Sequence, residues 1–390
     1  MNPGLSAVVV GSGIGGLSAA IALRRVGVDV HIYERASGIR PAGTALSLMS
    51  NAIAALDELG IDLGLAERGA VVRRFDIRTR RGRLMRRMPF TEICDDLGAP
   101  SVCISRSDLQ AAMLDELRDP PLTTGATATG FEREPDGRVR VDFADHPSAR
   151  ADLLVGADGF GSRIREALAG PEPARDSGYV CWLAVVPFDH PRLTPGYIGH
   201  YWGAGQRFGL IDIGHGRAYW WGTRNMPATE SANWTGGKAG VLRAFDGWAP
   251  EIREIVDRTP ESSIIAVPSR DRAFLERWGS GPVTLLGDAA HPMLTSLGQG
   301  AGMAVEDAVV LAHSVSRAPD VETGLRAYED ARRDRTRAMV ANSRAVSDME
   351  QIERPVRRVL RDLYMRTVPR RVLTERARAA LAFPGLAGVA

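Results

Sequence analysis

The stretch that most constrains this 390-residue chain is LSAVVVGSGIGGLSAAIALRRVGVDVHIYERA, residues 5–36. Residues 7–10 form an apolar run of the kind buried in a parallel sheet. GSGIGG follows at once, with glycines at 11, 13, 15 and 16. In a GxGxxG turn the first glycine permits the tight bend. The second lets backbone approach a pyrophosphate, and the third allows close helix–strand packing. Leu17, Ala20, Ile21 and Leu23 then repeat at helical period, with Gly27 as the stop, and residues 28–33 give a second strand. That strand delivers Glu34, whose carboxylate suits ribose hydroxyls, with Arg35 beside it. The segment reads as a βαβ unit, with Gly11, Gly13, Gly15, Gly16, Glu34 and Arg35 assigned to a dinucleotide.

The remaining organisation follows from periodicity. A helix is expected over 105–119, N-capped by Ser107, and a polar hairpin around Pro135-Asp136-Gly137. ADLLVGADGFGSRIREALAG, residues 151–170, repeats the strand–loop–helix theme. From 171 to about 278 the texture alternates, is broken by Gly and Pro and carries most of the tryptophans, the signature of antiparallel sheet. Arginine-rich amphipathic helices fill the chain from 321 onward.

Composition excludes more than it assigns. A formal charge of +2 gives no case for nucleic acid. Lys238 is the only lysine, so single arginines are discounted as signals. RRFDIRTRRGRLMRRM, residues 73–88, reads as a solvated hairpin, the lesser alternative being an electrostatic lure for a phosphate-rich cofactor. Cys94, Cys103 and Cys181 lack ligand spacing and are expected as reduced core residues, and no metal site is expected. No signal peptide and no apolar run of membrane-spanning length is legible, so a cytoplasmic protein without integral membrane contact is expected.

A second glycine-rich loop lies far downstream, in VTLLGDAAHPMLTSLGQGAGMAVEDA, residues 283–308. A β-branched strand delivers Gly287-Asp288 to a sheet edge, where open α/β folds bind ligands. Here the chain resembles the group A flavoprotein aromatic monooxygenases, the hydroxybenzoate-hydroxylase-like family, in which such an aspartate holds the ribityl chain of FAD. Asp158 in GADGFGSRIR matches the family's Asp-Gly segment near the FAD pyrophosphate, and Arg106 in SRSDL matches an arginine that contacts FAD. The motifs occur in family order over essentially the whole chain. The resemblance makes the dinucleotide FAD. Gly298, Gly300 and Gly302 leave room for a flat ring against backbone. A helix beginning near Ala301 aims its amides at the negative edge of reduced flavin.

The implied fold is α/β: a Rossmann-like FAD-binding domain (1–70, 101–170 and 280–320), an inserted antiparallel-sheet substrate domain (71–100 and 171–279), and C-terminal helices (321–390). The implied activity is that of an FAD-dependent monooxygenase. NADPH or NADH binds transiently and reduces FAD; O2 then gives a flavin hydroperoxide, which passes one oxygen to a mostly apolar aromatic or polycyclic small molecule. Hydroxylation is expected over epoxidation, in a monomer or homodimer. The flavin carries this chemistry, so no catalytic side chain is required. His291 is the one candidate, with a supporting role near the flavin weighed above a catalytic one. Phe208, Leu210 and Asp212 share one sheet face with Trp220 opposite, and with Thr295 they are the expected substrate wall.

Two departures from the family pattern weaken an automatic reading of phenol hydroxylation. Thr295-Ser296 replace a Pro-Asn pair, and Trp182-Leu183-Ala184 lack the arginine that would anchor an anionic substrate. Alternatives are a flavin-dependent isomerase or cyclase without net oxidation, and a non-catalytic binding protein on the FAD scaffold. A halogenase is disfavoured, because its Trp-x-Trp-x-Ile signature is absent.

Overall fold

Four chemistry-bearing segments meet at one sheet edge because their strands run parallel. In the computed structural model, which describes residues 4–38, 44–118, 121–387 and 389, the first sheet has five strands. Their order is Val283–Leu285, Leu153–Gly156, Ser6–Val10, Asp29–Glu34 and Leu122–Thr124, and every pairing is parallel. Val8, Val9, Leu153, Leu154 and Val155 are buried, as expected of strands covered on both faces. Val10 pairs with Tyr33 and with Gly156, and Gly156 with Leu285, so the carboxyl ends are level. Gly11, Glu34, Asp158 and Asp288 therefore emerge side by side, where such sheets bind ligands.

A second sheet of seven strands runs Ile265–Asp271, Arg175–Pro187, Arg217–Asn225, Gln206–Asp212, Tyr197–Trp202, Arg74–Thr79 and Leu84–Met88. Only the pairing of Tyr197–Trp202 with Arg74–Thr79 is parallel. The arginine-rich hairpin at 73–88 thus extends this sheet, and it is less solvated than its charges suggest. Asp76 is wholly buried and gathers Arg74, Arg78 and Arg87. One face of the sheet is closed. Trp182, Phe208, Leu210 and Trp220 have no exposure and pack on helix Gly237–Ala244 through Val241 and Ala244, and on helix Pro250–Arg258 through Ile252, Ile255 and Val256.

The helix Val321–Glu350, 30 residues and about 45 Å long, fastens one sheet to the other. Near its start the Tyr328 hydroxyl donates to Leu285 O (3.0 Å). Further along, Arg344 binds Asp271, and Ser347 meets the Tyr179 hydroxyl (3.0 Å). The helix Arg106–Leu117 is capped by Ser105, not Ser107: Ser105 Oγ accepts from Asp108 N at 3.1 Å. Ser105 alone stands three residues before a free amide of the first turn.

Candidate functional site

The first glycine loop is sterically obligatory. Gly11 has φ +107°, and a Cβ there would lie 2.5 Å from Ala157 O; a Cβ on Gly16 would lie 1.9 Å from Gly11 O. Gly13 has nothing within 4 Å, so its open side faces the space beyond the sheet edge. Gly15 differs from expectation. Its Cβ would meet Leu286 at 3.0 Å and Ala304 at 3.4 Å, so its smallness serves the packing of helix Ile14–Arg25 against helix Gly300–Arg317. Gly13 caps the first of these helices without a side chain, leaving first-turn amides available to an anion.

Glu34 holds the loop. Its carboxylate accepts from Ser12 N (2.8 Å), Ser12 Oγ (2.9 Å) and Ala36 N (2.8 Å). Burial pushes this carboxyl up, but the bonds from Ala36 and Ser12 outweigh it and hold it below the usual range. Arg35 is exposed beside it.

Asp158 shapes the next turn by accepting from Ser162 Oγ (2.5 Å) and Arg163 N (2.7 Å). Its burial raises the carboxyl despite those bonds. The buried Arg165, on the helix that follows, donates to Ala289 O (3.1 Å) and Ala290 O (2.7 Å). It clamps the Asp158 segment to the loop that carries Asp288.

Asp288 is exposed to solvent, between buried neighbours Gly287 and Ala289. Desolvation raises its carboxyl, opposed by the nearby charges of His291 and Arg106. Arg106 is likewise exposed, and a Cβ on Gly300 would find Asp288 Oδ1 at 3.8 Å. Arg106, Asp288 and Gly300 border one space. Gly298 takes φ +64° against Met49, and helix Gly300–Arg317 begins one residue before Ala301 with no side-chain cap on its amides.

Beneath this loop lies a polar network that sequence reading missed. His291 is 1% exposed; its Nε2 lies 2.6 Å from Asp307 Oδ2, and Asp307 Oδ1 accepts from Arg332 Nε (2.7 Å). Glu306 accepts from Asn51 (2.6 Å) and from Arg335 (2.7 Å). Asn51 and Gln299 exchange amide hydrogen bonds at 3.0 and 3.2 Å. His291 is thus committed to holding helix and loop in register. The only signal for this was a pair of carboxylates in the otherwise apolar stretch GMAVEDAVV.

The expected substrate wall is corrected. Phe208, Leu210 and Trp220 belong to the closed face, where helices leave no room for a ligand. Asp212 instead ties two turns, accepting from Gly196 N (2.7 Å) and Gly214 N (3.1 Å). The opposite face carries partly exposed Phe75, Leu183, Val185, His200, Tyr219 and Trp221. Several of these cluster with Met49, the residue that touches Gly298. On that face the buried Arg207 ion-pairs with Glu350 and lies 4.8 Å over the Trp221 ring. Thr295 is exposed and Ser296 beside it is half-buried.

Comparison with known proteins gives the family and the fold. A family model described as "FAD binding domain" matches residues 5–343. The chain is 35% identical over 386 residues to the aurachin C monooxygenase/isomerase of Stigmatella aurantiaca, covering 99% of this chain and 100% of the relative. It is 34% identical over 351 residues to an FAD-dependent urate hydroxylase of Klebsiella pneumoniae, covering 88% and 90%. The crystal structure of Klebsiella pneumoniae HpxO complexed with FAD and uric acid superposes with a TM-score of 0.89 at 30% identity, covering 97% of this chain and 96% of that one.

Proposed function

The chain belongs to the FAD-dependent aromatic monooxygenases, and from that premise we propose that it inserts one oxygen atom of O2 into a neutral, mostly apolar aromatic or polycyclic small molecule. Hydroxylation is favoured over epoxidation, and NADPH or NADH serves as the transient reductant. The residues present fit FAD: the Gly11–Gly16 cradle admits no Cβ where backbone must bend, and Gly13 is open toward the sheet edge.

In this reading the amides at the start of helix Ile14–Arg25 hold the diphosphate, and Glu34 with Arg35 borders the adenosine half. Arg106 and Asp288 hold the ribityl chain. Gly298, Gly300 and Ala301 receive the ring system, with Asp158 shaping the turn between the halves. Bound FAD supplies hydride acceptance and oxygen activation. The protein's own part is to orient the substrate, exclude water and offer helix amides to negative charge. Residues 1–70, 101–170 and 280–320 form the cofactor domain in this account, 71–100 and 171–279 the substrate domain, and 321–390 the C-terminal helices.

The observation that carries the substrate class is the open face itself: aromatic, partly exposed, continuous with Met49, and holding an arginine whose charge Glu350 already matches. Such a wall suits a flat uncharged molecule better than an aromatic acid. The test is NAD(P)H oxidation and 18O2 incorporation across matched neutral and anionic aromatics. A neutral compound should accelerate NAD(P)H oxidation and gain one labelled oxygen. A product of unchanged mass would move the reading to isomerisation, and a protein indifferent to FAD would end it.

A further inference from the structure

The C-terminal helix Pro355–Thr367 is packed with its polarity inverted. Val356, Val359, Leu360, Leu363 and Tyr364 recur at helical spacing and form one stripe, with exposures of 73, 63, 59, 53 and 37%. They are five of the eight large apolar side chains exposed among the described residues. The helix is held to the protein by its opposite side. There the buried Arg361 donates to Glu350 O and Gly203 O, both at 3.1 Å, and Met365 packs with Met85 and Trp202.

Charge borders the stripe. By helical position Arg357 lies along one margin and Arg366 along the other. Residues 353–378 hold nine arginines against three carboxylates, although the whole chain carries only +2. Asp362 and Glu375 are engaged by Arg361 and Arg371. Among the described residues Arg354, Arg357, Arg358, Arg366 and Arg376 form no ion pair, whereas Arg370 and Arg378 bind Glu92 and Asp96.

We propose that this helix lies in the surface of an anionic lipid bilayer, its Val/Leu stripe in the acyl boundary and its arginines on lipid phosphates. An outward apolar stripe with basic margins is the pattern of an interfacial helix, and no described helix is long and apolar enough to cross a membrane. A second copy of the chain would match the stripe but set two arginine clusters against each other. A lipid phosphate layer complements both features at once. This inference rests on the helix alone and is independent of the reaction assigned to the flavin site.

The FAD-loaded full chain is sedimented with phosphatidylcholine vesicles with and without roughly 30 mol% phosphatidylglycerol. Binding should require the anionic lipid and weaken with salt. Leu360→Glu combined with Leu363→Glu, and separately Arg357→Glu combined with Arg366→Glu, should each weaken it by about tenfold or more. These side chains are exposed or partly exposed, and an unchanged flavin spectrum confirms that each variant folds. Three results would overturn the proposal: wild-type chain left in the supernatant at low salt, variants that sediment as well as wild type, or a solution dimer that the leucine variant dissociates.

Discussion

His291 Nε2 and Asp307 Oδ2 stand 2.6 Å apart in a site with almost no solvent, and Arg332 closes the other side of the carboxylate. Burial raises the Asp307 carboxyl, but the charges of His291 and Arg332 carry it below the ordinary value. A carboxylate depressed in the folded state stabilises above its unfolded pKa of about 3.9, and that stability is lost as pH falls further. Asp307→Asn, which leaves Arg332 short of a countercharge, should cost about 3–5 kcal/mol. Thermal unfolding should show a large drop at neutral pH and a shallower acid limb. A melting temperature matching wild type would remove Asp307 from the folding core.

The glycine loop separates a steric demand from a ligand demand. Gly16→Ala sets a Cβ 1.9 Å from Gly11 O, so the variant should misfold or lose FAD entirely. Gly13→Ala meets nothing within 4 Å, so the apoprotein should keep its melting temperature. Its new methyl nonetheless enters the space through which backbone approaches the diphosphate. FAD titration by fluorescence should show affinity reduced about tenfold or more, a difference of about 1.4 kcal/mol. Full affinity in Gly13→Ala would place the diphosphate elsewhere.

Trp220 and Trp221 are adjacent in sequence and face opposite sides of the sheet. Trp220→Ala opens the closed face and removes the partner of Thr259 Oγ1 at 2.9 Å, so it should cost about 3–5 kcal/mol in urea unfolding. Trp221 is half-buried on the open face. Trp221→Ala should leave stability nearly intact and raise KM more than it lowers kcat. The reverse pattern would return the substrate to the face first expected.

That reversal marks where sequence reading ran out. Glycine spacing, apolar strands and the Asp288 loop located the sheet edge to which the cofactor is assigned, because backbone geometry and parallel pairing demand those residues locally. The period of two correctly grouped Phe208 and Leu210 across from Trp220. It could not say which face meets helices, since both faces are aromatic and the covering helices Gly237–Ala244 and Pro250–Arg258 lie later in the chain. Arg207, Arg332 and Glu350 were hidden among dozens of similar charges. Their importance comes from burial at long sequence separation, which no local pattern encodes.

His200 gives a pH signature for the open face. Although the residue is partly exposed, desolvation by the protein packed around it, and then the charge of Arg207, push its imidazole down to about 3. A histidine depressed in the folded state leaves stability intact above its unfolded pKa of about 6.5 and erodes it as pH falls toward the folded value. Stability should therefore decline from about pH 6.5 downward, with that limb flattened in His200→Asn. An unchanged profile in the variant would assign the decline to other groups.

The Arg207–Glu350 pair makes the strongest demand on the substrate assignment. With Glu350 present, Arg207 offers the open face no net charge. Glu350→Gln leaves a buried guanidinium unmatched, which should destabilise the protein by about 3–5 kcal/mol. A bound carboxylate could then supply the missing charge. The variant should consequently gain affinity for aromatic acids and lose it for the matching primary amides, moving the acid-to-amide ratio of kcat/KM by about tenfold or more. Anionic ligands should also raise its melting temperature more than that of wild type, a readout that does not depend on turnover. If both ratio and melting shift stayed at wild-type values, the ion pair would lie outside the substrate's reach, and charge neutrality would no longer describe what the site selects.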